Sequence, residues 1–343
     1  MLNRTVSALV AIASLATTAA TAEPVKIRVG FNIIGTNITS LAWREPETIG
    51  LKLYGKTYTV ELTKFQGSGT QLTAFASGNL DIGMGQPSAF VQVVNNAGVD
   101  AVIVSDSLQD RCDGVGTTQP FYVRKDAGID TPADLKGGVP VAVTTINSGN
   151  DISLRTMLGK VGRSVNDIKR VEVSAGSIPA FLMEGKVVAG PLLQEQIGAI
   201  EADGRFKKLF TQCDAMGPVQ MNVHFATKDF IVKNRAATID LLADLMHATR
   251  WFLDAANNKE ALRILGETSM QSVDPFAPWI FTEKGYYHDK DLQPNVEGIK
   301  NSLKVQLDAG VLKANLPKPV EEYIDQDLLA AAKKRYDEVY GTK

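Results

Sequence analysis

Apolar positions along this chain recur with two alternating periods. Val25 to Phe31 alternates with period two and is rich in β-branched residues, which predicts a strand. Ile38 to Leu53 carries helical spacing, with Gly50 as its C-cap. Tyr58 to Leu62 predicts a second strand. Gly67-Ser68-Gly69-Thr70 opens a helix through Gln71 to Ser77, which Gly78-Asn79 closes. Leu80 to Met84 reads as a short strand, Pro87 to Asn96 as a helix with proline in its first turn, and Val99 to Ser105 as a further strand. Short strands alternating with helices predict an α/β architecture with a largely parallel sheet.

A second unit opens at Thr131-Pro132-Ala133-Asp134, a helix-start signal. Strands are predicted at Val139–Val143, Ile168–Val173 and Val187–Gly190. Helices are predicted at Asp151–Val161, Ser177–Glu184 with Ser177 as N-cap, and Glu195–Ala202. The order of elements repeats that of the first unit, without a repeat of sequence. Val219 to Phe225 alternates again, and Asp229 to Leu253 is strongly helical. The remainder is mostly helical and completes no further βαβ unit. The expectation is two lobes, each a mostly parallel sheet flanked by helices. Residues 23–130 and 219–343 form the first and 131–218 the second, with crossings near 128–131 and 214–219.

Residues 1–22 read as a cleaved signal peptide. Arg4 supplies the positive start, Val6 to Ala16 the apolar stretch, and Ala20-Thr21-Ala22 the small-residue cleavage site. The apolar stretch is too short to span a bilayer, and no later segment has 18 consecutive apolar residues. A periplasmic location follows as an expectation. Export changes the reading of the two cysteines. Cys112 and Cys213 form an even pair in an oxidising compartment, which favours a disulfide over two separate buried thiols.

Composition narrows the function. The chain has 343 residues with 36 basic and 38 acidic side chains, so no basic excess points to nucleic acid. Three histidines without metal-ligand spacing argue against a metal site, and no cofactor is expected. No phosphate-binding loop, GxGxxG or GxSxG pattern is present. His224 reads as a structural residue of a strand, and Trp43 and Trp279 as packing residues. The chemistry-bearing positions are loops where a strand ends and a helix begins, the usual ligand position in open α/β sheets. They are Gly35-Thr36-Asn37, Gly67-Ser68-Gly69-Thr70, Gly85-Gln86-Pro87-Ser88 and Thr145-Ile146-Asn147-Ser148-Gly149. Glycines permit close approach to a ligand. Hydroxyls and amides add donors, and helix starts favour anions.

Several motifs resemble a known group. They are Phe65-Gln66-Gly67-Ser68-Gly69 followed by Leu72 and Leu80-Asp81-Ile82-Gly83, then Asp134-Leu135-Lys136-Gly137 before Val141-Ala142-Val143, and Glu184-Gly185-Lys186-Val187. Together they resemble periplasmic type II substrate-binding proteins of the nitrate/sulfonate/taurine ABC transporter family, over nearly all of the chain past residue 22. The resemblance implies two lobes with a ligand cleft between them. It also implies partners: a small-molecule ligand, and permease and ATPase subunits at the inner membrane. The binding protein is expected as a monomer. Gly35, Thr36, Asn37, Gly67, Ser68, Gln86, Ser88, Thr145, Asn147 and Ser148 are the candidate ligand contacts. Where the family often has aspartate and then aromatic residues after its Gly-Lys-Val, this chain reads Val188 to Leu193. An aromatic wall is therefore absent from that place or supplied elsewhere. The expected ligand is a small organic anion such as a sulfonate. An aromatic carboxylate, nitrate or a pyrimidine are the alternatives. A ligand-presenting subunit of a membrane sensor and an enzyme on the same fold are rival functions.

Overall fold

Two five-stranded sheets form from the alternating runs. The computed structural model describes residues 23–341, apart from 33, 36, 66, 67 and 115–117, so the expected signal peptide lies outside the described residues. The chain builds β1 (Val25–Phe31), β2 (Tyr58–Lys64), β3 (Ile82–Gly85) and β4 (Ala101–Asp110) in the first lobe. It then crosses and builds β5 (Pro120–Arg124), β6 (Val139–Val143), β7 (Ile168–Glu172), β8 (Ala189–Pro191) and β9 (Phe206–Thr211). β10 (Val219–Thr227) returns to the first lobe. The strand orders are β2-β1-β3-β10-β4 and β7-β6-β8-β5-β9. In each sheet one strand runs antiparallel, and it is the strand that enters from the other lobe: β10 in the first, β5 in the second. The two sheets thus share one topology.

The expected crossing near 128–131 is corrected by β5. Pro120–Arg124 already pairs with β8 and β9, so the chain leaves the first sheet between Asp110 and Pro120. It returns between Thr211 and Val219.

Helices α1 (Pro46–Ile49), α2 (Ser68–Ala76) and α3 (Pro87–Asn95) belong to the first lobe. The second holds α4 (Gly149–Lys160), α5 (Ile178–Met183), α6 (Gln194–Asp203) and α7 (Gln212–Met216). The C-terminal part adds α8 (Lys228–Phe252), α9 (Asn258–Ser269), α10 (Val296–Asp308) and α11 (Gln326–Tyr340). The continuous helix expected over Ile38–Leu53 is instead a 3-10 turn at Ile38–Ser40, a bend, and the four residues of α1. Pro46 has no N–H to continue an earlier helix and restricts the residue before it, so it starts a helix here. Gly50 does cap that helix, at φ 80° in the left-handed region. The start signal at Thr131 yields only a 3-10 turn, Pro132–Asp134, closed by a Thr131–Asp134 capping box. Ser177 does not cap α5 with its side chain; its hydroxyl bonds that of Ser174 at 2.7 Å.

Both faces of the second sheet are covered. Phe121 and Val123 pack on one side with Val141 and Val143, while Tyr122 and Ala142 pack on the other. Burial on both faces explains why these strands read as apolar runs. In the first lobe, α8 and α11 pack together over a core that includes Val29, Phe90, Phe225 and Leu241.

Candidate functional site

β1, β3 and β6 end where the two lobes face each other, and the loops that follow enclose a cleft of about 630 Å3. The first lobe contributes Asn37, Lys64, Met84 and Gln86. The second contributes Thr144, Ser148, Gly149 and Glu195. Gln212 and Gln220 line it beside the crossings, and Phe276 and Tyr286 come from the stretch between α9 and α10. Gln86 and Pro87 at the start of α3, and Ser148 and Gly149 at the start of α4, border this space.

Gln86 and Ser148 are sequence-predicted contacts that reach the cleft, by different routes. Gln86 is the N-cap of α3 but makes no capping bond with its side chain. Its Nε2 reaches the opposite lobe, 3.3 Å from where a Cβ at Gly149 would stand. A side chain at 149 would crowd the Gln86 amide. Ser148 caps α4 and donates its hydroxyl to Asn150 Oδ1 at 3.0 Å. Asn37 also lines the cleft, but its amide is committed. Oδ1 accepts from Thr39 N at 3.1 Å, and Nδ2 faces Met84 Sδ and Ser107 Oγ.

Four other predicted contacts do not line the cleft: Gly35, Ser88, Thr145 and Asn147. Gly35 donates its N–H to Ser40 Oγ at 3.1 Å, and a Cβ there would meet Leu265 Cδ1 at 2.6 Å. Ser88 is buried and does not line the cleft. Thr145 and Asn147 are exposed. Asn147 turns at φ 68° and its Oδ1 accepts from Arg155 at 3.0 Å. Thr144, one residue earlier, takes the lining position. Thr36 and Gly67 lie outside the described residues, and Ser68 is placed only as the first residue of α2.

Sequence reasoning did not single out Lys64, Glu195, Phe276 or the cleft role of Tyr286. Phe276 and Tyr286 supply an aromatic wall from the C-terminal part of the chain, not from the stretch after Val188. Tyr286 stands edge-on to Trp279, with ring centres 5.9 Å apart. Trp279 and Trp43 themselves are core residues, bonded to Pro275 O and Tyr58 Oη. Glu195 occupies the first turn of α6, and burial pushes its carboxyl above the usual range. Burial also raises the Tyr286 hydroxyl, helped by the charges of Glu195 and Asp110.

The hinge side is tightly bonded. Cys112 and Cys213 form a disulfide with Cα atoms 5.5 Å apart. Beside it Asp110 accepts from Thr118 Oγ1 at 2.7 Å and Gln212 Nε2 at 3.1 Å. Deeper, Asp106 accepts from Gln220 Nε2 at 2.5 Å and Asp289 N at 3.0 Å. Burial drives its carboxyl up to about 7. No histidine lines the cleft. His224 bonds Thr39 and Ser105 hydroxyls, each at 2.8 Å, His247 bonds Ile49 O, and His288 bonds Ser107 O.

A model of the NMT1-like family matches residues 20–266. No curated protein matches the chain. Among solved structures, the periplasmic aliphatic sulphonate binding protein SsuA from Escherichia coli aligns with a TM-score of 0.65 at 18% identity. The alignment covers 88% of this chain and 92% of that one. The periplasmic nitrate-binding protein NrtA from Synechocystis PCC 6803 aligns with a TM-score of 0.67 at 15% identity, covering 91% and 89%. The desulfurization enzyme DszB aligns with a TM-score of 0.62 at 13% identity, covering 91% and 99%. At these identities the likeness is one of fold, and that fold hosts both binding proteins and an enzyme.

Proposed function

The chain belongs to the NMT1-like family, and from that premise we propose that it is the exported solute-binding component of an ABC importer. It captures a small organic solute by closing two lobes on it, in the periplasm, and delivers it to a membrane permease powered by an ATPase. The observation that carries this reading is the interlobe cleft, lined from both lobes and from the crossings between them. Such a site buries its ligand on closure, and a few placed polar groups select it. On this reading the lobes comprise residues 25–110 with 219–341, and residues 120–211.

The size and lining of the cleft suit an organic solute more than a bare inorganic anion. Met84, Phe276 and Tyr286 offer apolar surface. An anionic group has Lys64 to meet, the cleft's cationic side chain among the described residues, and the starts of α3 and α4. Binding without catalysis is the role that membership of the family supports.

Thermal-shift screening of residues 23–343 against sulfonates, aromatic carboxylates, amino-substituted acids, nitrate and pyrimidines tests the role. A ligand at about a hundred times its dissociation constant adds about 2.7 kcal/mol to stability. The expected result is a clear rise in Tm with at least one organic class. A folded protein that shifts with none, and retains nothing from a broad metabolite mixture, would reject the solute-binding role.

A further inference from the structure

We propose that the solute held in this cleft carries a protonated nitrogen, and that Glu195 is the residue that recognises it. The proposal rests on the solute-binding reading and names the ligand class more closely.

Four described carboxyls are raised by burial: Asp106, Asp110, Asp244 and Glu195. Three of them are satisfied by the protein. Asp106 accepts from Gln220 and Asp289 N, Asp110 from Thr118 and Gln212, and Asp244 from Tyr54 N and Tyr58 Oη. Glu195 is the exception. Its one bond is to its own backbone N–H, and among the described residues it has no ion pair and no side-chain donor. Glu195 is half-buried, so its carboxylate is partly withdrawn from water without a counter-charge from the described residues. The missing partner has an obvious place to come from, because Glu195 lines the ligand cleft.

The surroundings of Glu195 point to a cation. Tyr286 lines the same space, so an aromatic ring and the Glu195 carboxyl share one cleft. The cleft is lined by the rings of Tyr286 and Phe276, and aromatic rings suit an ammonium group or a cationic heterocycle on an organic body. Lys64 is exposed at the end of β2, on the other lobe, and is not paired with Glu195. The cleft therefore offers one carboxylate and one ammonium on opposing lobes. A solute with an anionic group and a protonated nitrogen satisfies both.

The test uses the wild-type protein, Glu195→Gln and Lys64→Gln, each incubated with a metabolite mixture that contains cations, anions and zwitterions. Retained compounds are identified by mass spectrometry. Matched probes follow: 4-(aminomethyl)benzoate, 4-methylbenzoate and 4-methylbenzylamine. The expected result is that compounds retained by wild type carry a basic nitrogen. Glu195→Gln should weaken them at least tenfold while leaving any binding of nitrogen-free anions intact. Circular dichroism confirms that each variant is folded. Retention of nitrogen-free compounds only, undiminished in Glu195→Gln, would overturn the proposal and leave the solute-binding role standing. Loss of 4-methylbenzoate together with the amine-bearing probes in Glu195→Gln would make Glu195 a support of the closed cleft instead of the group that recognises nitrogen, and would also overturn it. Retention of nothing by folded wild type would overturn the role itself and the proposal with it.

Discussion

His224 and His288 show what burial does to a single titratable group. Neither lines the cleft, and burial holds both rings neutral against the backbone carbonyls of Asp106 and Ser107, which favour the charged form. Burial lowers both to about 4 from the ordinary 6.5. The unfolded chain binds more protons than the folded one between those values, so stability rises with pH from 4 to 6.5. Asp106 acts in the opposite sense. Its carboxyl is raised from 3.8 to about 7, so the folded state holds the extra proton and stability falls as pH rises through that range. The two histidines therefore contribute a loss of stability on acidification from pH 6.5 to 4, which Asp106 and the other raised carboxyls, Asp110, Asp244 and Glu195, oppose. Urea unfolding across that range isolates the contribution by difference: a His224→Gln/His288→Gln variant should lose less stability on acidification than the wild type. An equal change in the variant would rule the histidines out as its source. The sequence already read His224 as structural, because it stands in an alternating strand without ligand spacing. Glu195 was not legible in the same way. A carboxylate at a helix start is ordinary in sequence, and only the fold reveals that no described residue pairs with its charge.

At the scale of elements, the motifs that carry the family resemblance prove to be folding devices. Leu80 and Ile82 are core residues, while Asp81 binds Arg28 through both carboxylate oxygens and accepts Arg28 N at 2.8 Å, tying the approach to β3 onto β1. Gly83 faces the ring of Phe225, which pairs with it across β10; a Cβ there would lie 2.5 Å from Cε2. Overpacking of this kind costs about 1–3 kcal/mol. Gly83→Ala should therefore lower the urea midpoint with an unchanged m-value, and a neutral result would mean that the Phe225 ring can give way at little cost. Asp134 and Leu135 likewise close a capping box and fill the core, and Gly137 turns at φ 71°. Such residues identify a fold from sequence because the fold requires them, and for the same reason they say little about the ligand. What the pattern missed has local causes. β9 contains Lys207-Lys208, which breaks the alternation, and β5 is short and follows a polar stretch. The loops gave the right neighbourhood but not the right atoms. Side-chain direction in the turn at 144–148 follows from the left-handed Asn147, which periodicity does not report.

At the scale of the molecule, the lobes are joined by only two crossings, and these are fastened to each other. The disulfide links residues 101 positions apart, one at each crossing. Asp110, at the end of β4, accepts from Thr118 on one crossing and Gln212 on the other, and Cys213 N donates to Thr118 Oγ1 at 3.1 Å. Any rotation of one lobe against the other must turn about this fastened pair. The even cysteine count and the export signal suggested the bond from sequence, and its nearness to the expected crossings already put it at the hinge. Two effects separate cleanly on its removal. The chain-entropy model assigns a loop of this length about 4–5 kcal/mol, so Cys112→Ser/Cys213→Ser should unfold at markedly lower urea. If the bond also restrains the hinge, the same variant should open and close faster at concentrations of denaturant where both proteins are fully folded, as read by NMR relaxation dispersion. Lower stability with unchanged exchange rates would confine the disulfide to the unfolded chain's entropy. In that case the Asp110, Thr118 and Gln212 contacts, which do not need the sulfur bridge, would be what holds the crossings together during closure.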